Sequence, residues 1–183
     1  MRRYLELAKE QMDTLRRIIG SSLGVASSCR QRKTTDLVEL TEAALRIHQR
    51  RIDANQIHLV KDLPGDLVAN VHRGGMLQVI SNLIVNALDT LPAQGTLHVR
   101  LRKSDALLVI LIADTGHGIP NRHIDDVWRP FFTTKGEQGT GLGLALSERI
   151  VTRHQGRICM RSSVREGKSG TIFKITLPRQ VPA

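Results

Sequence analysis

The feature that most constrains this chain is a glycine-rich stretch between an apolar run and a helical pattern. The apolar run, Leu107 to Ala113, has the length of a buried strand and is followed by one carboxylate, Asp114. Two glycines follow at once, and three alternating glycines later open an apolar helical pattern: Gly116, Gly118, Gly139, Gly141 and Gly143. A carboxylate at a strand end can accept a hydrogen bond from an exocyclic amine, and glycines before a helix let backbone N–H groups close on an anion. The stretch therefore predicts a nucleotide site, with the segment between its two halves folding over the ligand.

The same glycines have a simpler interpretation, because glycine near aspartate or threonine is typical of turns. Two common nucleotide motifs are excluded. No lysine follows Gly143, as the P-loop pattern G-x-x-x-x-G-K-[ST] requires, and the later glycines are spaced G-x-G-x-G rather than as the dinucleotide G-x-G-x-x-G. The stretch alone leaves both turns and an unusual nucleotide site open.

Composition bounds the class of protein and its surroundings. The chain has 183 residues, 40% hydrophobic and 24% charged, which is ordinary for one globular domain with or without an appendage. The two cysteines have no metal-site spacing and no run is long enough to span a membrane, so we expect a cytoplasmic location and leave open a membrane anchor elsewhere in the parent protein. The net charge of +10 admits nucleic acid, anionic membranes or acidic proteins as partners, or simply a solvated helix face. Because only 3% of residues are aromatic, stacking platforms for single strands are nearly absent, and we expect no nucleic-acid partner.

The N-terminal segment has the pattern of a helix that needs a partner. Between residues 4 and 28, apolar or small side chains recur at alternating spacings of three and four: Leu5, Ala8, Met12, Leu15, Ile19, Ser22 and Ala26. This spacing is typical of a coiled-coil or bundle seam. We therefore divide the chain into a helical segment at residues 1–35, which we expect to form a homodimer, and a second domain at residues 36–183.

The second domain alternates between hairpin and helix patterns. Asp36 can cap a helix that runs to about Ala54. Predicted strands cover residues 57–63, 67–71, 96–102, 106–113, 157–163 and 171–177, and further helices cover about 76–91 and 142–154. Consecutive strands joined by short turns, rather than alternating parallel units, predict an α+β sandwich with one sheet covered on one face by helices.

The predicted helix at residues 76–91 carries two asparagines on one face. Asn82 and Asn86 are about one helical turn apart, so their side chains project in the same direction. Amide oxygens suit Mg²⁺, which keeps waters and substrate phosphates among its ligands. The pair could hold Mg²⁺ against a triphosphate, or it could form local hydrogen bonds within the fold.

Taken in order, four motifs resemble those of one family. They are Asn82-x-x-x-Asn86, D-T-G-H-G-I-P at 114–120, P-F-F-T-T-K at 130–135 and G-T-G-L-G-L at 139–144. Residues 36 to about 180 resemble the ATP-binding catalytic domain of two-component sensor histidine kinases, within the group that also holds gyrase, MutL-type and heat-shock chaperone ATPases. The short lid and P-F-F-T-T-K look most like the nitrogen-regulation type. The resemblance implies a two-layer sandwich with a mixed, mostly antiparallel sheet, which binds Mg²⁺–ATP and transfers the γ-phosphate to a histidine.

The resemblance also implies a role for each matching residue. Asn86 would be the Mg²⁺ ligand and Asn82 its neighbour near the phosphates, so both would be catalytic. Asp114 would read the adenine amino group, with Thr171 adding a hydroxyl. The floor of the site would be formed by Gly116 and Gly118, the phosphate loop by Gly139, Gly141 and Gly143, the apolar anchor of the lid by Phe131 and Phe132, and a phosphate contact by Lys135. The other residues that we assign to the nucleotide site are Asp89, Ile119, Thr133, Thr134, Thr140, Leu142 and Leu144.

Position 82 distinguishes enzymes within the group. The gyrase and chaperone branch has a glutamate there as the general base for water, whereas Asn82 is a poor base. General-base catalysis contributes roughly 10²–10⁴-fold to a rate. We therefore expect slow ATP hydrolysis, which suits a kinase that passes the γ-phosphate to a side chain.

The phosphoacceptor motif of the family is not found in this sequence. None of the 7 histidines is followed by an acidic residue and, a few positions later, a proline. The N-terminal segment resembles the second helix of the family's dimerisation hairpin, so we expect either a fragment without its phosphoacceptor helix or a kinase that acts in trans. A response regulator is the implied downstream partner. Two other functions stay open: a nucleotide-sensing dimerisation module without transfer, and a nucleic-acid-linked ATPase.

Overall fold

A computed structural model describes residues 32–136 and 139–179. In chain order, the elements are β1 (Lys33–Asp36), α1 (Leu37–Ala54), β2 (His58–Asp62), β3 (Val68–Val71), α2 (Arg73–Thr90), β4 (Thr96–Lys103), β5 (Leu107–Asp114), α3 (Gly143–Arg153), β6 (Arg157–Ser163) and β7 (Gly170–Pro178). Short 3₁₀ turns at Asn121–His123 and Asp126–Trp128 lie between β5 and α3. The predicted helix at residues 4–28 lies outside the described residues, so the homodimer and the division into two domains stay predictions.

Five strands form one mixed sheet in the order β2–β4–β5–β7–β6. β2 runs parallel to β4, and every other neighbouring pair in this sheet is antiparallel. The helices form the second layer, in which α1 contacts α2, and α2 contacts both α3 and β5. The predicted α+β sandwich with a mixed, mostly antiparallel sheet is confirmed.

The core between the two layers is aliphatic. Alternate side chains of β4 and β5 are buried, among them Leu97, Val99, Ile110 and Ile112. α2 lies between α1 and α3 as well as over the sheet, and its buried residues are Gly75, Met76, Val79, Ile80, Leu83, Ile84, Ala87 and Leu88. Among the described helices, none combines the length and the apolar character needed to cross a membrane.

A short strand precedes α1 and was not predicted. Lys33–Asp36 pairs antiparallel with β3, with Thr35 opposite Ala69. Only Thr35 is buried in this strand, so it lacks the alternating apolar side chains by which a strand is recognised. The strand ends at Asp36, whose Oδ1 accepts a 2.8 Å hydrogen bond from the N–H of Val38 and caps α1 as predicted.

α2 begins earlier than predicted. The helix starts at Arg73, so the start predicted near residue 76 was three residues too late, and Gly74 and Gly75 lie within the helix. A Cβ at Gly75 would lie 3.4 Å from Cγ2 of Ile150 on α3. Gly75 therefore lies inside the first turn of α2, and a Cβ there would make only an ordinary van der Waals contact with α3.

Candidate functional site

Asp114 lies at the end of β5, in the middle of the sheet, and is only 7% exposed. Its Oδ1 accepts hydrogen bonds from the N–H of Gly116 at 2.9 Å and from Oγ1 of Thr90 at 3.4 Å. Burial raises the pKa of Asp114, and the hydrogen bonds from Gly116, Thr171 and Thr90 partly oppose that rise. The carboxyl group is thus fixed in direction at the edge of the core, where it can serve as a hydrogen-bond acceptor.

Gly116 and Gly118 permit close approaches that a side chain would block. A Cβ at Gly116 would lie 2.6 Å from Oγ1 of Thr90, at the end of α2. Gly118 has a φ of +73°, and a Cβ there would overlap the carbonyl oxygen of Ser163 on β6. The two glycines hold the loop after β5 against α2 on one side and β6 on the other, consistent with the floor of a site.

A hydroxyl network that the sequence analysis missed joins this loop to the sheet. Oγ of Ser162 accepts a 2.7 Å hydrogen bond from the N–H of Ile119 and lies 2.9 Å from Oγ1 of Thr171. Thr171 is 3% exposed and pairs in register with Asp114, so their side chains are on the same face of the sheet. Thr90 reaches the site from the end of α2, and no motif indicated it. Ser162 lies in the predicted β6–β7 hairpin, where the register with Thr171 was the signal that could have indicated it.

The asparagine face of α2 lies next to the start of α3. Nδ2 of Asn82 lies 3.3 Å from the carbonyl oxygen of Gly143 and 3.4 Å from Oγ of Ser147. The amide therefore donates within the fold, which is one of the two roles that the sequence leaves open for this pair of asparagines. The contact also places Asn82 beside the first turn of α3, where free N–H groups and the helix dipole favour an anion.

Asn86 and Asp89 hold a cationic side chain at the other end of this face. Nζ of Lys135 lies 3.3 Å from Oδ1 of Asn86 and 2.5 Å from Oδ2 of Asp89. Asp89 also pairs with Arg51 at 2.7 Å. Burial alone would raise the pKa of Asp89, but the hydrogen bonds from Lys135 and Arg51 outweigh it and lower the pKa. Oxygen atoms that hold an ammonium group fit the ligand preference of Mg²⁺.

The alternating glycines lie where the chain passes close to itself before α3. A Cβ at Gly139 would overlap Oγ1 of Thr133, and one at Gly141, where φ is +63°, would overlap the backbone of Phe131. The carbonyl oxygen of Gly141 accepts a 2.9 Å hydrogen bond from the N–H of Phe131. Gly143 is the first residue of α3. The predicted phosphate loop is thus held against the preceding segment at the N-terminus of a helix.

The remaining predicted residues surround this loop in different ways. The hydroxyls of Thr133 and Thr140 accept hydrogen bonds from backbone N–H groups two residues further on, at 3.1 Å and 3.5 Å. Thr134 is exposed, whereas Leu142 and Leu144 are half-buried. These residues lie around the start of α3, and their contacts with a nucleotide stay a prediction.

The apolar anchor of the lid differs from the prediction. Phe131 is 66% exposed and has a φ of +69°, so it does not anchor the segment. Phe132 lies beside the ring of His123, with ring centroids 5.4 Å apart. The contact with the sheet is made by Trp128, whose ring meets that of Phe173 on β7 edge to face at 6.2 Å. The motif indicated the segment, but its spacing did not show which ring packs inward.

Comparison with known proteins agrees with this geometry. Residues 72–181 match the family described as histidine kinase-, DNA gyrase B-, and HSP90-like ATPase. The adaptive-response sensory kinase SasA of Synechococcus sp. (strain JA-3-3Ab) is 33% identical over 187 residues, covering 97% of this chain and 49% of that protein. The sensor histidine kinase ZraS of Escherichia coli (strain K12) is 33% identical over 176 residues, covering 94% of this chain and 36% of that protein.

Solved structures share the fold, as the catalytic domain of histidine kinase ThkA shows. It matches with a TM-score of 0.71 and 27% identity, covering 80% of this chain and 97% of that one. The chain spans less than half the length of SasA and of ZraS. These likenesses do not single out the nitrogen-regulation type, which stays a prediction. The chain belongs to the histidine kinase-, DNA gyrase B- and HSP90-like ATPases, and within that family it is similar to the ATP-binding domain of two-component sensor histidine kinases.

Proposed function

We propose that this domain binds Mg²⁺–ATP and transfers the γ-phosphate to a histidine on a separately supplied dimerisation helix. The observation that carries the proposal is that Asn86 and Asp89 bind the ammonium group of Lys135 close to the start of α3. Asn82 contacts the first turn of α3, and Asn86 lies about one helical turn further along α2. Anion-binding backbone groups and cation-binding oxygens are thereby neighbours, as phosphates with a bound metal require.

The adenine end of the site would be formed by Asp114. Its carboxyl group is buried and fixed by the N–H of Gly116, and Thr171 lies opposite it in register. Adenine presents an amino donor where guanine presents a carbonyl acceptor. We therefore expect Asp114 to favour ATP over GTP, with the hydroxyl of Thr171 assisting.

The oxygen atoms that this part of the site offers indicate what a bound Mg²⁺ would contribute. Bound Mg²⁺ would neutralise charge on the phosphates and orient the γ-phosphate, with Asn86 as its ligand from the protein. In the described ranges, no group of three or more His, Cys, Asp or Glu side chains could hold a metal ion. Waters and phosphate oxygens would complete the coordination, as is usual for Mg²⁺. The ammonium group of Lys135 would then contact the phosphates instead of Asp89.

Asn82 supports transfer over hydrolysis. Its Nδ2 donates toward Gly143 and Ser147, and an amide does not take a proton from water at neutral pH. Without a general base at this position, attack by water lacks roughly 10²–10⁴-fold of assistance. The bound γ-phosphate would therefore persist until a histidine side chain is presented.

The partners proposed here follow from the family. We expect the domain to act in the cytoplasm as part of a homodimer joined through residues 1–35, and to pass the phosphoryl group on to a response regulator. A structure of ThkA in complex with the response regulator protein TrrA has a TM-score of 0.72 and 23% identity to this chain. At that identity the likeness concerns the fold alone, so the proposed partner rests on the similarity to two-component sensor histidine kinases.

Titration with ATP and with a nonhydrolysable analogue, with and without Mg²⁺, tests the binding step. We expect Mg²⁺ to strengthen binding and Asn86→Ala to remove that dependence. Asn70→Ala changes an exposed asparagine on β3 and is the matched control, which should bind as the wild type does. Absence of ATP binding would refute the proposed site.

Incubation with radiolabelled ATP and a dimerisation hairpin that carries the phosphoacceptor histidine tests the transfer step. Label on the hairpin supports the kinase. Binding without transfer favours the nucleotide-sensing module, and hydrolysis that DNA stimulates favours the nucleic-acid-linked ATPase.

A further inference from the structure

One face of the five-stranded sheet is not covered by any helix that the structure describes. Side chains alternate along each strand, so those between the buried positions of β4, β5 and β7 point away from the helical layer. Three large hydrophobic residues are exposed on this face: Val60 at 37%, Leu107 at 42% and Ile172 at 47%. Leu107 and Ile172 lie toward opposite ends of this face, and the half-buried Val109, Leu111 and Ala113 of β5 lie between them. Together they form an apolar stripe of the kind that marks interaction surfaces.

The strand register turns this face into an apolar stripe with a basic border. The stripe follows β5 through Val109, Leu111 and Ala113. Its partners on β4 are, in the same order, Arg102, Arg100 and His98. The apolar strand is therefore flanked by cationic or titratable side chains along this length.

The opposite border of the stripe is basic as well. Across β7 and β6, Ala113 aligns with Ile172 and then Arg161, and Leu111 aligns with Lys174. Arg157 lies further along β6 in the same row as Val109. The stripe thus runs between two rows of positive charge.

Few acidic groups balance these cations. Asp62 is the one acidic residue among the outward-facing positions of the described five-stranded sheet, and it pairs with Arg100 at 2.9 Å and with Arg102. Arg157, Arg161 and Lys174 form no ion pair with any residue that the structure describes. The face keeps an excess of positive charge for a partner to neutralise.

We propose that this face docks an acidic amphipathic helix of a partner protein. β4 and β6 are three strand spacings apart, about 14 Å, and a helix with its side chains is about 10–12 Å across. The apolar side of such a helix would cover the stripe on β5 and Ile172, and carboxylates on its two flanks would meet Arg100 on one side and Arg161 on the other.

Charge and chemistry favour this occupant over the alternatives. A second copy of the chain would bring the same cations onto the same face, and like charges would oppose it. Nucleic acid is a poorer fit, because its phosphates would leave the apolar stripe uncovered and the described strands place no Phe, Tyr or Trp ring on this face for stacking. The surface is independent of the proposed nucleotide site, since Asp114 and Thr171 point to the opposite side of the sheet.

A synthetic helical peptide with leucines along one side and glutamates on both flanks tests the proposal. We expect it to bind the wild-type chain in fluorescence anisotropy, and to shift backbone amide resonances of β4, β5, β7 and β6. The same peptide with lysines in place of glutamates should not bind. Arg161→Glu combined with Lys174→Glu should weaken binding about tenfold or more, because attraction becomes repulsion at two points.

Matched variants keep the test specific. Arg50→Glu changes an exposed arginine on α1 and should leave the affinity unchanged, whereas Ile172→Ser should weaken binding without a change of net charge. Failure of the glutamate peptide to bind, equal binding of the lysine peptide, or resonance shifts confined to the helical layer would overturn the proposal. A DNA duplex that displaces the glutamate peptide and shifts the same strand resonances at lower concentration than the peptide would also overturn it.

Discussion

Replacing Gly118 by alanine tests how the floor of the proposed nucleotide site is built. Gly118 has a φ of +73°, and a Cβ there would overlap the carbonyl oxygen of Ser163 on β6. Gly167 has nearly the same φ, +71°, yet a Cβ there would meet nothing within 4 Å. The two glycines thus form a matched pair, in which backbone strain is shared and steric overlap occurs at Gly118 alone.

Backbone strain and steric overlap each lower the free energy of unfolding by a typical amount. A left-handed backbone costs a non-glycine residue about 1–2 kcal/mol, and forced overpacking costs about a further 1–3 kcal/mol. In urea denaturation, we expect the free energy of unfolding to fall by about 1–2 kcal/mol for Gly167→Ala and by about 2–5 kcal/mol for Gly118→Ala. ATP affinity should fall in Gly118→Ala alone. Equal losses of stability in the two variants would refute the argument that the approach to Ser163 shapes the floor.

Three further predictions concern charge and backbone strain. Lys135→Met should raise the pKa of Asp89, followed by carboxyl NMR, because a hydrogen bond that lowers it is lost. The free energy of unfolding should change by less than about 1 kcal/mol, as expected for a partly exposed ion pair. Gln155→Gly should raise the free energy of unfolding by about 0.5–1 kcal/mol in urea titration. The reason is that the exposed Gln155 has a φ of +58°, which glycine adopts without strain. An unchanged free energy of unfolding would contradict the argument that this residue is strained. His154 is buried, its Nε2 accepts a 2.9 Å hydrogen bond from the N–H of His72, and burial lowers its pKa from 6.5. Because the folded state disfavours the protonated ring, the contribution of His154 to the free energy of unfolding should be full above pH 6.5 and decline as the pH falls below 6.5. Urea unfolding measured across this pH range should show a smaller decline for His154→Gln than for the wild type.

The parts of the fold that could be predicted are those that appear in the sequence as a period. The hairpins β4–β5 and β6–β7 have apolar side chains at alternate positions with turn residues between them, and both form where expected. β1 was missed because it buries only Thr35 and pairs with β3, which lies beyond a whole helix in the chain. A strand held mainly by its backbone hydrogen bonds leaves little trace in the pattern of side chains.

In the candidate site, too, some residues could be predicted from the sequence and others could not. Asp114 and Gly116 could be found because they form a short motif whose spacing follows from local geometry. Ser162 was not predicted although the β6–β7 hairpin was, because the pattern of side chains does not fix the register that places Ser162 opposite Thr171. The prediction that Phe131 anchors the lid was wrong, because a motif gives the position of a side chain in the chain but not its direction. The backbone of Phe131 has a φ of +69° and its ring is exposed.

The claim that Asp114 reads the adenine base is central, and calorimetric titration of ATP and GTP into the wild-type chain and into Asp114→Asn, with Mg²⁺ present, tests it most directly. Asparagine can still accept the hydrogen bond from Gly116 through its amide oxygen, but it turns a donor toward the donor of adenine. The loss of a hydrogen bond to a charged group, about 1.5–3 kcal/mol, corresponds to about 10–100-fold in affinity. We predict that ATP binds more tightly than GTP to the wild type and loses about 10–100-fold in Asp114→Asn. ATP affinity that is the same in both proteins would contradict the assignment of Asp114 to the base.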